Sequence, residues 1–206
     1  MNLIERLRRV YMYRRVKKFE TIEGWLSARE AIELYRYASL LGRNAVVVEI
    51  GSWKGRSTYC LARGLGRGTV FAIDPFDAAG EPGSAELYER QKGEGPLVRQ
   101  FEQNMDRLGV LEKVTTCAGY SADFAGKFQK IDFLFIDGDH SVEACEKDFL
   151  LFSPAVIPGG FIAFHDYDAS RQDLGPTWVI EHHLRTSDKF RFVGTYDSLW
   201  IAEKMK

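Results

Sequence analysis

Residues 46–74, VVVEIGSWKGRSTYCLARGLGRGTVFAID, decide the fold. The β-branched run Val46-Val47-Val48-Glu49-Ile50 enters Gly51, and Gly55 follows within the same turn. A helical pattern then runs through Leu61 and Leu65. A second apolar run, Val70-Phe71-Ala72-Ile73, ends in Asp74. The order is strand, glycine turn, helix, strand, acid. In an open parallel sheet, ligands bind at the carboxyl ends of the strands, where such turns lie. Glycine lets backbone approach a ligand closely. An acid ending the second strand can accept hydrogen bonds from both hydroxyls of a ribose. The stretch therefore predicts a nucleoside-containing cofactor.

Spacing separates the nucleotide motifs that could place a glycine turn here. A dinucleotide fold needs Gly-x-Gly-x-x-Gly, but Trp53 stands at the second glycine position. A phosphate loop needs Gly-x-x-x-x-Gly-Lys-Ser/Thr, and Arg56 stands where its second glycine belongs. What remains is Glu-x-Gly-x-x-x-Gly, as Glu49, Gly51 and Gly55. This resembles the first motif of the class I S-adenosylmethionine-dependent methyltransferases. The resemblance implies that Glu49, Gly51 and Gly55 serve the methionine end of the cofactor. It also implies that Asp74 holds the ribose, with Gly119 and Ser121 after the third strand meeting the adenine.

The rest of the chain fits that frame. From Ala45 onward strands alternate with helices, which argues for a parallel sheet. Strands are predicted at 46–50, 69–73, 113–117, 132–136 and 160–164, with helices near 55–65, 98–109, 121–128 and 141–152. A helix opens at Pro176, and runs at 189–194 and 198–202 form a closing antiparallel pair. The expected fold is α/β, a Rossmann-like doubly wound sheet, mostly parallel, with a C-terminal antiparallel hairpin. Ser27-Ala28-Arg29-Glu30 is a capping box that opens a helix ending at Gly42. The expected division is a basic N-terminal arm over 1–26 and a methyltransferase domain over 27–206.

Two adjacent strand ends carry the second signal. Phe133-Leu134-Phe135-Ile136 runs into Asp137-Gly138-Asp139-His140, and Phe161-Ile162-Ala163-Phe164 into His165-Asp166-Tyr167-Asp168. Carboxylates this close repel unless a cation or a shared proton compensates, and hard oxygen ligands suit Mg²⁺ or Mn²⁺. Asp139 and Asp168 could instead cap the loops that follow. The chain is similar here to the metal-dependent small-molecule O-methyltransferases. That resemblance implies Asp137, Asp166 and His165 as metal ligands, with Asp137 also beside the cofactor. Tyr167 stands where the catechol-type enzymes have Asn. His140 falls at the position of their catalytic lysine, which makes it the candidate base, with His165 in reserve. The expected activity is methyl transfer from S-adenosylmethionine to a small hydroxylated acceptor. Alternatives are a metal-dependent hydroxylase-like enzyme on the same scaffold and a non-catalytic cofactor-binding protein.

Bulk properties narrow the partners. A net charge of −1 supplies no global field for nucleic acid, and no apolar run approaches the ~20 residues of a membrane span. Three scattered cysteines fit a reducing cytoplasm. Self-association into a homo-oligomer is left open. Residues 75–97, rich in glycine and proline and beside Asp74, are expected to form an irregular lid over the cofactor. Residues 1–18 hold seven Arg or Lys against the single acid Glu5, with Leu3, Leu7, Val10 and Tyr11 at near-helical spacing. The short length and narrow apolar face favour a solvated helix packed on the domain or a neighbouring subunit over a partner-binding or membrane-surface arm. Trp53 and Trp178 are expected to pack, and His182 and His183 to lie on a solvated helix face.

Overall fold

The computed structural model describes residues 3–79 and 85–205. Helix α1 (Leu3–Val16) leads through a 3-10 turn into α2 (Ala28–Ser39), and seven strands follow. They are β1 (Ala45–Ile50), β2 (Gly68–Asp74), β3 (Val114–Ala118), β4 (Ile131–Ile136), β5 (Val156–Phe164), β6 (Phe190–Tyr196) and β7 (Leu199–Lys204). Between them lie α3 (Arg56–Gly64), α4 (Ala85–Lys92), α5 (Leu97–Arg107), α6 (Val142–Phe152) and α7 (Gly175–Val179). The sheet order is β3-β2-β1-β4-β5-β7-β6. All pairings from β3 to β5 are parallel, and β7 runs antiparallel to both β5 and β6. The expected doubly wound sheet with its closing hairpin is therefore present.

Order reverses between β1 and β4, and a crevice opens there at the carboxyl ends, the switch point at which such sheets bind ligands. The β4 and β5 runs are apolar on both faces because each face is covered. One core lies under α2, α3 and α5, around Leu34, Leu61, Phe101, Phe133 and Phe135. The other lies under α6 and α7, around Leu134, Phe149, Ile162 and Trp200. Among the described residues no helix is long and apolar enough to cross a membrane.

Several expectations change on contact with the tertiary structure. The helix expected at 121–128 is only a 3-10 turn at Ser121–Phe124, because Gly126 adopts a left-handed φ of 75°. The segment 75–97 is not irregular throughout: α4 forms within it, and Phe76, Ala78 and Leu97 are buried. Its residues 80–84 lie outside the described residues. The N-terminal segment divides in two. Val16, Phe19, Ile22 and Leu26 join the first core, whereas Leu3, Leu7, Val10 and Tyr11 of α1 face outward.

Candidate active site

Five strand ends, those of β1 to β5, build the floor of one cavity. Gly51 N–H donates to the Ile73 carbonyl at 2.9 Å and Asp137 N–H to that of Ile50 at 2.8 Å. Gly119 N–H donates to Asp74 at 3.0 Å and His165 N–H to Ile136 at 3.1 Å. These bonds continue the sheet past its last residues and hold the loops in register. The cavity above has a volume of about 620 Å³, within the range of ~300–1,000 Å³ usual for small-molecule sites.

Gly51, Asp74, Gly119, Ser121 and Asp137 line this cavity. Gly51 has φ 86°, and a Cβ there would stand 2.0 Å from the Asp137 carbonyl oxygen. Only glycine lets the β1 turn pass so close to β4. Asp74 does more than face the cavity. Its Oδ2 accepts from Ser52 N–H at 2.9 Å and Trp53 N–H at 2.8 Å, and its Oδ1 from Phe76 N–H at 2.6 Å. A carboxylate has about four acceptor positions, so one further donor can still be met. Burial raises its pKa, and the three amides oppose that rise.

Two residues assigned to the cofactor are turned elsewhere. Glu49 is fully buried and absent from the cavity wall. Its Oε2 accepts from Ser52 Oγ at 2.9 Å and from Thr58 Oγ1, so it staples the turn to the first turn of α3. Burial outweighs these hydroxyls and pushes its pKa up to about 7. Gly55, the N-cap of α3 at φ 90°, packs against α5, where an added Cβ would meet Met105 Cε at 2.5 Å. The spacing identified both residues, but the side of the turn each faces is a property of packing. Ser121 lines the cavity and donates to Asp148 of α6 rather than capping a helix. Burial raises Asp148 to about 6, against that hydrogen bond.

The β4 and β5 ends meet as anticipated. His165 is buried, with Nδ1 2.9 Å from Asp166 Oδ2 and 3.2 Å from Asp137 Oδ1. Its Nε2 lies 3.3 Å from Glu30 Oε2. Burial opposes a charged ring, but the three carboxylates outweigh it and raise the His165 pKa well above its ordinary value. His165 is thus a buried imidazolium between acids, poorly suited to accept a further proton. Asp166 has a left-handed φ of 57°. Burial works against its ionisation, but His140 and His165 hold it well below the usual carboxylate range. His140 Nε2 stands 2.9 Å from Asp166 Oδ2.

Asp137, His140 and Asp166 can each offer one ligand atom with all three atoms within 4.8 Å of one another. The donor set of two carboxylates and an imidazole suits a divalent cation. His140, rather than the expected His165, completes this group, because both His165 nitrogens are engaged by carboxylates. Asp139 and Asp168 serve as loop caps, accepting from Ser141 N–H at 2.7 Å and Ser170 N–H at 2.9 Å. Tyr167 turns away, its hydroxyl donating to Glu181 at 2.9 Å. His182 stacks on Trp178, and His183 pairs with Glu146 of α6 at 2.7 Å.

Sequence reasoning missed part of the wall. Trp25, Trp53 and Tyr88 form an aromatic cluster with centroids 5.2–6.1 Å apart, and all three line the cavity. Glu30 was legible as a capping-box residue, and that box is present. Its second role toward His165 leaves no local signal.

The sheet order, the glycine turn at the switch point and the acid ending β2 define a class I methyltransferase. The chain belongs to the methyltransferase domain family, which it matches over residues 48–167. Among curated proteins it is 28% identical over 124 residues to the uncharacterized protein R132 of Acanthamoeba polyphaga mimivirus, covering 60% of this chain and 52% of that protein. The chain thus spans about half the length of that relative. Its fold is similar to that of the O-methyltransferase TomG from Streptomyces achromogenes, solved with SAM (TM-score 0.65, 19% identity, 97% of this chain and 90% of that one). It is also similar to that of an O-methyltransferase from Bacillus cereus, solved with SAH (TM-score 0.65, 18% identity, 95% and 90% covered).

Proposed function

We propose that this protein transfers a methyl group from S-adenosylmethionine to a hydroxyl of a small acceptor. The observation that carries the reading is that a single cavity joins two halves. Gly51, Asp74 and Ser121 line one half, and the His140–Asp166 pair the other. Asp74 would accept from one ribose hydroxyl through its remaining acceptor position, with Gly119 and Ser121 toward the adenine. That O-methyltransferases of similar fold were solved with SAM or SAH supports the choice of cofactor.

The acceptor oxygen attacks the methyl carbon in line. The carbon–sulfur bond breaks, and sulfur keeps its electron pair as S-adenosylhomocysteine leaves. His140 takes the hydroxyl proton, and Asp166 stabilises the imidazolium that forms. His165 keeps its charge throughout and offsets the repulsion among Asp137, Asp166 and Glu30. The aromatic cluster would cover the acceptor and exclude water.

A second reading rests on the convergence of Asp137, His140 and Asp166. These residues would hold Mg²⁺ or Mn²⁺, which when bound lowers the pKa of a coordinated hydroxyl. His140 would then orient rather than deprotonate. Incubation with methyl-labelled cofactor and a panel of hydroxylated metabolites tests the activity. A mass gain of one methyl group is expected. Cofactor binding without transfer to any acceptor, with or without divalent metal, would leave a binding protein instead.

A further inference from the structure

Helix α1 carries an apolar stripe that the domain leaves uncovered. Leu3 is 70% exposed, Ile4 71%, Leu7 60%, Val10 43% and Tyr11 61%. At ~100° per residue these five fall within an arc of about 120°. The inward face is a different one: Val16 is buried, and Met12 and Tyr13 pack on the first core. The helix is therefore docked on the domain and presents a second apolar face outward.

The charges around that face indicate what covers it. Arg6 borders the stripe on one side and Arg8 on the other, Arg14 closes its C-terminal end, and Lys17 and Lys18 follow, all exposed. The chain has 28 Lys and Arg and 29 Asp and Glu, and residues 1–18 hold seven of the first and one of the second. The remainder therefore carries seven more acids than bases. Two such helices packed face to face would set arginine against arginine, which disfavours a second copy of α1 as the partner. An anionic surface with an apolar interior satisfies both features. Arginines flanking the stripe can reach headgroups while the apolar side chains enter the acyl boundary. The excess of acids in the remainder opposes approach by other faces.

We propose that α1 docks this protein on an anionic lipid surface, lying in the plane of the membrane through Leu3, Ile4, Leu7, Val10 and Tyr11. The proposal is independent of the chemistry assigned to the cavity.

Flotation of the full chain with phosphatidylcholine vesicles, with and without phosphatidylglycerol, tests it. The protein is expected to float with the anionic vesicles, not with the neutral ones, and to be released by raised salt. The double substitution L7S/Y11S removes apolar area exposed in the free protein. It should lower partitioning roughly tenfold or more with an unchanged melting temperature. If that variant melts early, R6E/R8E, which leaves the stripe intact, should show a similar loss on anionic vesicles. Absence of flotation with phosphatidylglycerol, or flotation indifferent to both variants, overturns the proposal. Sedimentation equilibrium showing a wild-type dimer that L7S/Y11S dissociates would also overturn it, by assigning the stripe to a second copy.

Discussion

Glu30 Oε2 lies 3.3 Å from His165 Nε2, a contact across 135 residues of chain. It joins the first turn of α2 to the end of β5. The same carboxylate binds the β6–β7 turn, with its Oε1 accepting from Ser198 N–H at 2.9 Å and Ser198 Oγ at 2.8 Å. Its Oε2 accepts from Ser27 N–H at 2.7 Å. One side chain thus caps a helix, ties a hairpin and holds the buried imidazolium.

This gives Glu30 a pH signature. Burial opposes its ionisation, but His165, Ser27 and Ser198 prevail and lower its pKa to about 2. A carboxyl depressed by folding stabilises the native state above its unfolded pKa, and that stability is lost as pH falls toward the folded value. The shift corresponds to about 3 kcal/mol at neutral pH. Glu30→Gln should therefore lower stability in urea at pH 7 by an amount of that order, with the difference shrinking between about pH 4.5 and 2. Equal stability of the two proteins at pH 7 would contradict this.

Asp148 should behave in the opposite sense. Burial raises its pKa to about 6. An acid raised by folding penalises the native state once the pH exceeds its unfolded pKa, and the full penalty applies above the folded value. Asp148→Asn removes the charge and keeps an acceptor for Ser121 Oγ. It should stabilise the protein at pH 8 by about 2–3 kcal/mol and have little effect near pH 3. Thermal melts across that range would show the difference appear between about pH 4 and 6.

Asp74→Ala should weaken S-adenosylhomocysteine binding roughly tenfold to a hundredfold, the equivalent of ~1.5–3 kcal/mol for charge-assisted hydrogen bonds. It should also lower the melting temperature, because Ser52, Trp53 and Phe76 lose their acceptor. Isothermal titration and calorimetry on the same preparation read both. Full affinity in the variant would remove Asp74 from the ribose site.

Gly51→Ala should be far more damaging than Gly55→Ala. Both glycines have positive φ, but the new Cβ meets the Asp137 carbonyl at 2.0 Å in the first, and in the second the flexible end of Met105 at 2.5 Å with the Phe101 ring at 3.0 Å. Backbone at a strand end cannot yield as a methionine can. Chemical denaturation of the two variants provides the comparison, and equal losses would count against this account.

His140→Ala should reduce methyl transfer by ~10²–10⁴-fold, typical of a lost general base, without changing affinity for S-adenosylhomocysteine. Exhaustive chelation separates the two readings of the site. If the imidazole is the base, turnover persists. If Asp137, His140 and Asp166 hold a cation, turnover disappears and Mg²⁺ or Mn²⁺ restores it.

Local chemistry in the sequence determined the alternation of strands and helices, the Ser27–Glu30 capping box, the turn at Gly51 and the convergence of Asp137, His140, His165 and Asp166. Apolar period, caps and turn residues act over a few neighbours, and strand ends in a parallel sheet share one edge. Only the tertiary structure decided which way each of these side chains faces. Glu49 and Gly55 belong to the motif by spacing, yet α3 and α5 pack over them and take them out of the cavity. Glu30, Trp25 and Tyr88 enter the site from segments distant in sequence, because α2, the segment before it and α4 reach the carboxyl ends of the strands. His165 is a held cation and His140 the accessible ring because Glu30 closes on the first and leaves the second. The outward stripe of α1 was likewise legible as a pattern. That it faces solvent follows from Met12, Tyr13 and Val16 taking the domain side.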